Sequence, residues 1–214
     1  PQYFPNNVRM NKSINKSIDE VIHKGTTPID AATFHEMSLQ KDILVVDTRS
    51  KETYTNEGTV PGAWYIGLDG SFAPWVGALI TNINQKIIFI AEDETRVNEI
   101  ATRFSRVGYD NTLGFLFGGI KNWIDHGFEV DKVGSISGYE FTEKLAERKE
   151  SEYLSEHVVG VENFPLDFIH SNFSEIDPSK HYYLHCASGY RSLVAASIFK
   201  ANGVENVTDV RGGF

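Results

Sequence analysis

The sequence predicts an α/β fold made twice over: two related domains in tandem, each a mainly parallel sheet flanked by helices on both faces. The first ground is repetition, because a series of landmarks recurs in the same order in the two halves of the chain. The second is alternation: short apolar runs of strand length are separated by segments whose apolar residues fall at helical spacing. Strands joined by crossover helices pair in parallel and bury the sheet on both faces.

In chain order, residues 1–26 belong to neither copy and read as a connector, copy one covers about 27–131, and copy two covers 132–214. In copy one, Asp42-Ile43-Leu44-Val45-Val46-Asp47 is a strand-length apolar run. Arg49-Ser50-Lys51-Glu52-Thr53-Tyr54 follows, then Thr59-Val60-Pro61-Gly62. The run Ile87-Ile88-Phe89-Ile90-Ala91 is a second strand. From Arg96 to Val107, residues Val97, Ile100, Ala101 and Phe104 share one helical face, and Gly108 ends the helix. Gly118-Gly119 and Lys121-Asn122-Trp123 close the copy.

Copy two repeats these marks. Arg148-Lys149-Glu150-Ser151-Glu152-Tyr153 precedes His157-Val158-Val159-Gly160, and Tyr182-Tyr183-Leu184-His185 runs into Cys186 and then Arg191. Leu193, Val194, Ser197 and Ile198 follow at helical spacing, stopped by Asn202-Gly203, before Gly212-Gly213. Between Phe141 and Arg148 this copy is about eight residues shorter than the first, and the shortfall coincides with the strand that ends at Asp47. A central strand is not dispensable, so the comparison predicts residues missing at that point. It predicts a missing last helix as well, because the chain stops at Phe214 where copy one continues through Trp123.

Bulk properties narrow the function. Hydrophobic residues make up 41% and charged residues 23%, ordinary for a water-soluble globular protein, and 14 Phe with 9 Tyr can furnish two cores. No run of about 18 apolar residues exists, so no membrane span is expected. The net charge of -9 argues against a nucleic-acid partner, which calls for a clustered basic surface. A single Cys excludes an internal disulfide and any Cys-based structural zinc site, and fits a reducing cytoplasm. Residues 1–5 have neither the basic nor the apolar region of a secretory signal. The absence of an initiator Met suggests a start inside a longer protein.

The chemistry points to His185-Cys186-Ala187-Ser188-Gly189-Tyr190-Arg191-Ser192, which follows a strand and opens a helix. A loop in that place turns backbone N–H groups inward, and the helix dipole adds positive potential. Arg191 contributes a fixed charge and a fork of donors. Such surroundings favour the thiolate, which is the nucleophile. Gly189 permits the tight turn, and small Ala187 and Ser188 leave the amides accessible. His185 reads as a strand residue packed beside the loop, and Ser188 and Tyr190 are candidates for substrate contact. The alternative reading of Cys186 is a buried, inert hydrophobe.

Cys-x-x-x-x-Arg between a strand and a helix resembles the active-site loop of the rhodanese family of sulfurtransferases. The upstream Arg-x-x-x-Glu/Thr-Tyr … Val-x-Gly element and the downstream Gly-Gly element are similar to that family too, and the likeness covers nearly all of 27–214. The resemblance implies two rhodanese-like domains that need no cofactor. It implies that Cys186 takes a sulfane sulfur from thiosulfate or a low-molecular-weight persulfide and holds it as a persulfide. Cys186 then passes that sulfur to a thiol, cyanide or sulfite. By position, Arg191 and the amides of Ala187, Ser188, Gly189 and Tyr190 would stabilise the anion, and Arg148 would sit beside the site. Copy one has Ala91 in place of the nucleophile and the acidic loop Glu92-Asp93-Glu94, which would repel an anion, so it reads as a non-catalytic scaffold.

The front segment, Pro1 to Val8 with Met10-Asn11-Lys12, resembles the connector after the metallo-β-lactamase-type domain of persulfide dioxygenase–rhodanese fusions. That likeness implies an upstream iron-dependent domain, while no metal site is expected within this chain. The partners implied are small anionic or thiol sulfur donors and acceptors, and a homo-oligomer is compatible with them. Two rivals stand beside sulfur transfer. One is a rhodanese-like regulatory or assembly module without turnover. The other is a rhodanese-fold phosphatase, which needs five residues between Cys and Arg where this chain has four.

Overall fold

A computed structural model describes residues 17–146 and 162–212. The chain divides into two compact units, residues 1–132 and 133–214. Arg148, Gly213, the connector residues 1–16 and the second-copy marks between 148 and 160 lie outside the described residues.

The first unit runs α1 (Ile18–Gly25), β1 (Pro28–Ile29), α2 (Ala31–Ser38), β2 (Ile43–Asp47), α3 (Lys51–Glu57), β3 (Trp64–Tyr65) and α4 (Phe72–Leu79). It continues through β4 (Lys86–Ile90), a 3-10 turn (Glu94–Arg96), α5 (Val97–Arg106), β5 (Thr112–Leu116) and α6 (Gly119–Asp125). Local chemistry sets the helix starts. Ser17 and Glu20 form a capping box on α1, Asp30 caps α2, and Ser50 caps α3 through the Thr53 amide. The strands form one five-stranded sheet in the order β1-β5-β4-β2-β3. Every pairing in it is parallel.

The pleat sends alternate residues of β4 to opposite faces. Ile88 and Ile90 join Phe34 of α2 and Trp123 of α6 in one core. On the other face Phe89 meets Phe104 of α5, which packs edge-on against Phe72 of α4. At Gly114, φ +151, a Cβ would run into the Thr27 carbonyl, so only glycine lets β5 lie this close to the chain entering β1.

A buried ion pair closes the end of β2. The Asp47 carboxylate, fully buried, accepts from Arg49 Nη2 at 2.7 Å and Nε at 3.0 Å, and from Thr59 Oγ1 at 2.7 Å. Arg49 also reaches Glu57 at 2.9 Å and the Gly58 carbonyl at 2.5 Å. Burial alone would lower the Arg49 pKa, but Asp47 and Glu57 hold it above its ordinary value.

The second unit runs β6 (Gly134–Ser137), α7 (Gly138–Ala146), short helical turns at Leu166–Phe168 and Phe173–Glu175 around α8 (Ile169–Asn172), β7 (Tyr182–Leu184), α9 (Tyr190–Ala201) and β8 (Val207–Arg211). Its sheet has the order β6-β8-β7, again all parallel. That order repeats β1-β5-β4 of the first unit. Helices lie on both faces here as well. Phe199 of α9 meets Phe164, Phe173 and Tyr182, whereas Tyr183, one residue on, meets Phe141 of α7. Counterparts of β2 and β3 do not occur among the described residues. The shortfall seen in the sequence between Phe141 and Arg148 coincides with the place of β2 in the first unit.

Both units are thus α/β, with parallel sheets covered on two sides. Among the described residues no helix is long and apolar enough to cross a membrane.

Candidate active site

Parallel α/β sheets leave their functional groups at the carboxyl ends of the strands. Cys186 lies there, two residues beyond the last residue of β7, and α9 begins at Tyr190. Gly189 makes the corner between loop and helix at φ +75, a left-handed conformation that a side chain would strain. It provides no side-chain cap, so the first amides of α9 need another acceptor.

The sulfur supplies it. Cys186 Sγ, half-buried, accepts from the Ser192 amide at 3.4 Å and lies 3.5 Å from the Ser192 hydroxyl. Burial by itself pushes the thiol up. The Ser192 hydroxyl and the amides of Ser192, Ser188 and Gly189 outweigh it and hold Cys186 below its ordinary value.

Ala187 and Ser188 are exposed, Gly189 is buried, and Tyr190 is half-buried. Burial raises the Tyr190 phenol well above its usual range, so it stays protonated. Arg191 is exposed in the first turn of α9 and has no hydrogen bond or ion pair among the described residues. The main groups that lower the thiol are hydrogen-bond donors at the helix start. His185 is half-buried beside the loop. Gly212, just past β8, places its amide 3.6 Å from where a Gly189 Cβ would stand, so it borders the loop. Arg148 lies outside the described residues. Its counterpart Arg49 serves as a framework ion pair in the first unit.

Ser192 is the site residue that sequence reasoning passed over. The available signal was a hydroxyl at the third position of the helix, where copy one has Val97. Side chains on a helix lean back over the preceding turn, which from that position means toward Cys186.

The equivalent loop of the first unit is tied to the segments around it. Ala91 stands at the position that Cys186 holds in the second unit and is buried. Glu92 accepts from the Ser50 amide at 2.7 Å and the Thr53 hydroxyl at 2.6 Å. Asp93 caps the turn that begins at Glu94, and Glu94 accepts from the Gly118 amide at 3.1 Å. The three acids are thus committed to neighbouring donors. Arg96, the counterpart of Arg191, is held by both oxygens of Asp69 at 2.7 and 2.8 Å and by Glu99 at 3.0 Å. No group of three His, Cys, Asp or Glu side chains that could hold a metal ion occurs among the described residues.

The family model of the rhodanese-like domain matches residues 30–126 and 147–214. An uncharacterized Bacillus subtilis protein, YqhL, is 31% identical over 78 residues, which are 36% of this chain and 62% of that protein. This chain therefore spans a little under two thirds of that curated relative. Among solved structures, SseA of Escherichia coli, described as a 3-mercaptopyruvate sulfotransferase, is similar over 88% of this chain and 99% of its own, at 14% identity and a TM-score of 0.41. A Rhodopseudomonas palustris protein described as a possible tyrosine phosphatase is similar over 56% of this chain and 97% of its own, at 16% identity and a TM-score of 0.37.

Proposed function

The chain belongs to the rhodanese-like domain family, and from that premise we propose that its second unit is a sulfurtransferase working through a Cys186 persulfide. The observation that carries this reading is the sulfur itself, held at the N-terminus of α9 by hydrogen-bond donors that favour its anion.

In the loading step the Cys186 thiolate attacks the outer sulfur of a donor. With thiosulfate, the new bond joins Sγ to that sulfur, the donor S–S bond breaks, and its electron pair leaves with sulfite. A low-molecular-weight persulfide is the second donor class and releases a thiolate instead. Arg191, exposed beside the loop, is the group assigned to meet the donor's negative charge. Ser188 and Gly189 supply amides, and Ala187 and Tyr190 are assigned to contact the donor. In the second step a thiol, cyanide or sulfite takes the outer sulfur and Cys186 returns to the thiolate. The chain has one Cys, so the acceptor must come from outside it.

A reducing, cytoplasmic setting fits the free thiol such chemistry needs. The upstream metallo-β-lactamase-type domain rests on the likeness of the front segment, and any iron would belong to that domain. A loop of four residues between Cys186 and Arg191 favours one added sulfur atom over a tetrahedral phosphate.

The test is intact mass after the reduced protein meets thiosulfate or glutathione persulfide. A gain of one sulfur atom, reversed by thiol and absent in Cys186→Ser, is expected. No gain from either donor would replace this reading with that of a non-catalytic module.

A further inference from the structure

We propose that the Ser192 hydroxyl holds Cys186 Sγ as a leaving thiolate, and so speeds release of the carried sulfur more than its uptake. This rests on the sulfur-carrier reading and assigns a chemical role within it.

Ser192 is 3% exposed, and its hydroxyl makes no hydrogen bond among the described residues other than that with Sγ at 3.5 Å. It sits in the first turn of α9, whose neighbours Leu193, Val194 and Ala195 are buried, so its place is fixed by packing. The backbone amide of the same residue also reaches Sγ, at 3.4 Å. Sulfur therefore rests on two donors of one rigid residue, whereas the amides of Ser188 and Gly189 come from the loop. The first unit has Val97 at this position beside Ala91, so the hydroxyl is present only where the thiol is.

The two half-reactions use that hydroxyl differently. During loading, Sγ begins as the anion and loses charge as the new S–S bond forms. A donor to Sγ then stabilises the starting state at least as well as the transition state, and gives no acceleration. During discharge an acceptor thiolate attacks the outer sulfur. The S–S bond to Sγ breaks, its electron pair moves onto Sγ, and the products are the acceptor persulfide and the Cys186 thiolate. Charge and atoms balance, with no external oxidant. Negative charge grows on Sγ along this path, so a fixed donor aimed at it strengthens in the transition state. A more stable leaving thiolate also departs faster.

Ser192→Ala removes the hydroxyl and keeps the amide. The half-reactions are followed separately by quenched-flow intact mass, loading from thiosulfate and discharge to a thiol, alongside the pH profile of Cys186 alkylation. Discharge is expected to slow about tenfold, the size of a lost hydrogen bond to a charged group. Loading, measured where the thiol is fully ionised, is expected to stay within about twofold, because a nucleophile's rate depends only weakly on its pKa. The alkylation midpoint is expected to move to higher pH. Discharge at the wild-type rate overturns the proposal, as does an equal fall in both steps, which would mean a displaced loop. A wild-type protein that loads no sulfur overturns the sulfurtransferase reading itself, and the proposal with it.

Discussion

Gly189 makes the turn on which the Cys186 loop depends, and its left-handed φ of +75 is open to glycine at little cost. Gly189→Ala should lower stability by about 1–2 kcal/mol, read by chemical denaturation, and should misplace the amides of Ser188 and Gly189. Arg191 poses a different question, because it is exposed and has no ion pair among the described residues. Arg191→Ala should therefore leave the unfolding midpoint unchanged while weakening loading from dianionic thiosulfate more than from a monoanionic persulfide. Equal loss with both donors would argue against a charge role. The pH dependence follows from the thiol. Its folded pKa lies below that of a free thiol, so the thiolate persists to lower pH. Loading should fall as pH is lowered through that depressed value, and its midpoint should lie below the roughly 8.5 of an unperturbed Cys. A midpoint at or above the free-thiol value would count against the hydrogen bonds described at Sγ.

At the scale of elements, the end of β2 is held by charge inside the protein. Asp47 and Arg49 are 0% and 2% exposed, and Asp47 has Thr59 as its other side-chain donor, so removing the guanidinium strands the carboxylate away from water. Arg49→Met should cost about 3–5 kcal/mol, measured by denaturation of the whole chain. A loss within the range of a surface pair, under about 1 kcal/mol, would mean that water relieves the charge. The helix that follows the Cys loop makes the opposite use of a terminus. Its amides have no side-chain cap and are turned to sulfur, whereas the matching turn of the first unit is capped by its own Asp93.

On the scale of the molecule, one duplicated plan supports one open loop and one closed loop. The closed one should stay silent even with a nucleophile restored. Ala91→Cys places a thiol beside a loop whose acids Glu92 and Glu94 are held by the Ser50 and Gly118 amides of neighbouring segments, and whose Arg96 is paired with Asp69 and Glu99. In a Cys186→Ser background this variant should gain no sulfur from thiosulfate. Uptake there would show that the acids do not close the site.

Much of this was legible in the residues. The repeat, the parallel α/β class and the place of Cys186 at a strand-to-helix corner all follow from local pattern, because strand and helix periodicities and a glycine corner are properties of neighbours in sequence. The run ending at Asp47 and the stretch from Val97 became β2 and α5 within a residue or so, since apolar periodicity reports the buried face directly. Contacts that join distant segments were not legible. That Glu92 would turn to Ser50 and Glu94 to Gly118 depends on which loops the sheet order brings together. Charge alone suggested a repelled anion, but the structure shows carboxylates already bound. The Ser192 donors to Sγ likewise required the helix to be set against the strand end before a hydroxyl six residues on could reach the sulfur. Sequence by itself determined the repeat, the fold class and the candidate nucleophile, because these rest on short-range geometry. Tertiary structure alone decided which donors meet the thiolate and which loop is closed, because those choices depend on packing between strands and helices far apart in the chain.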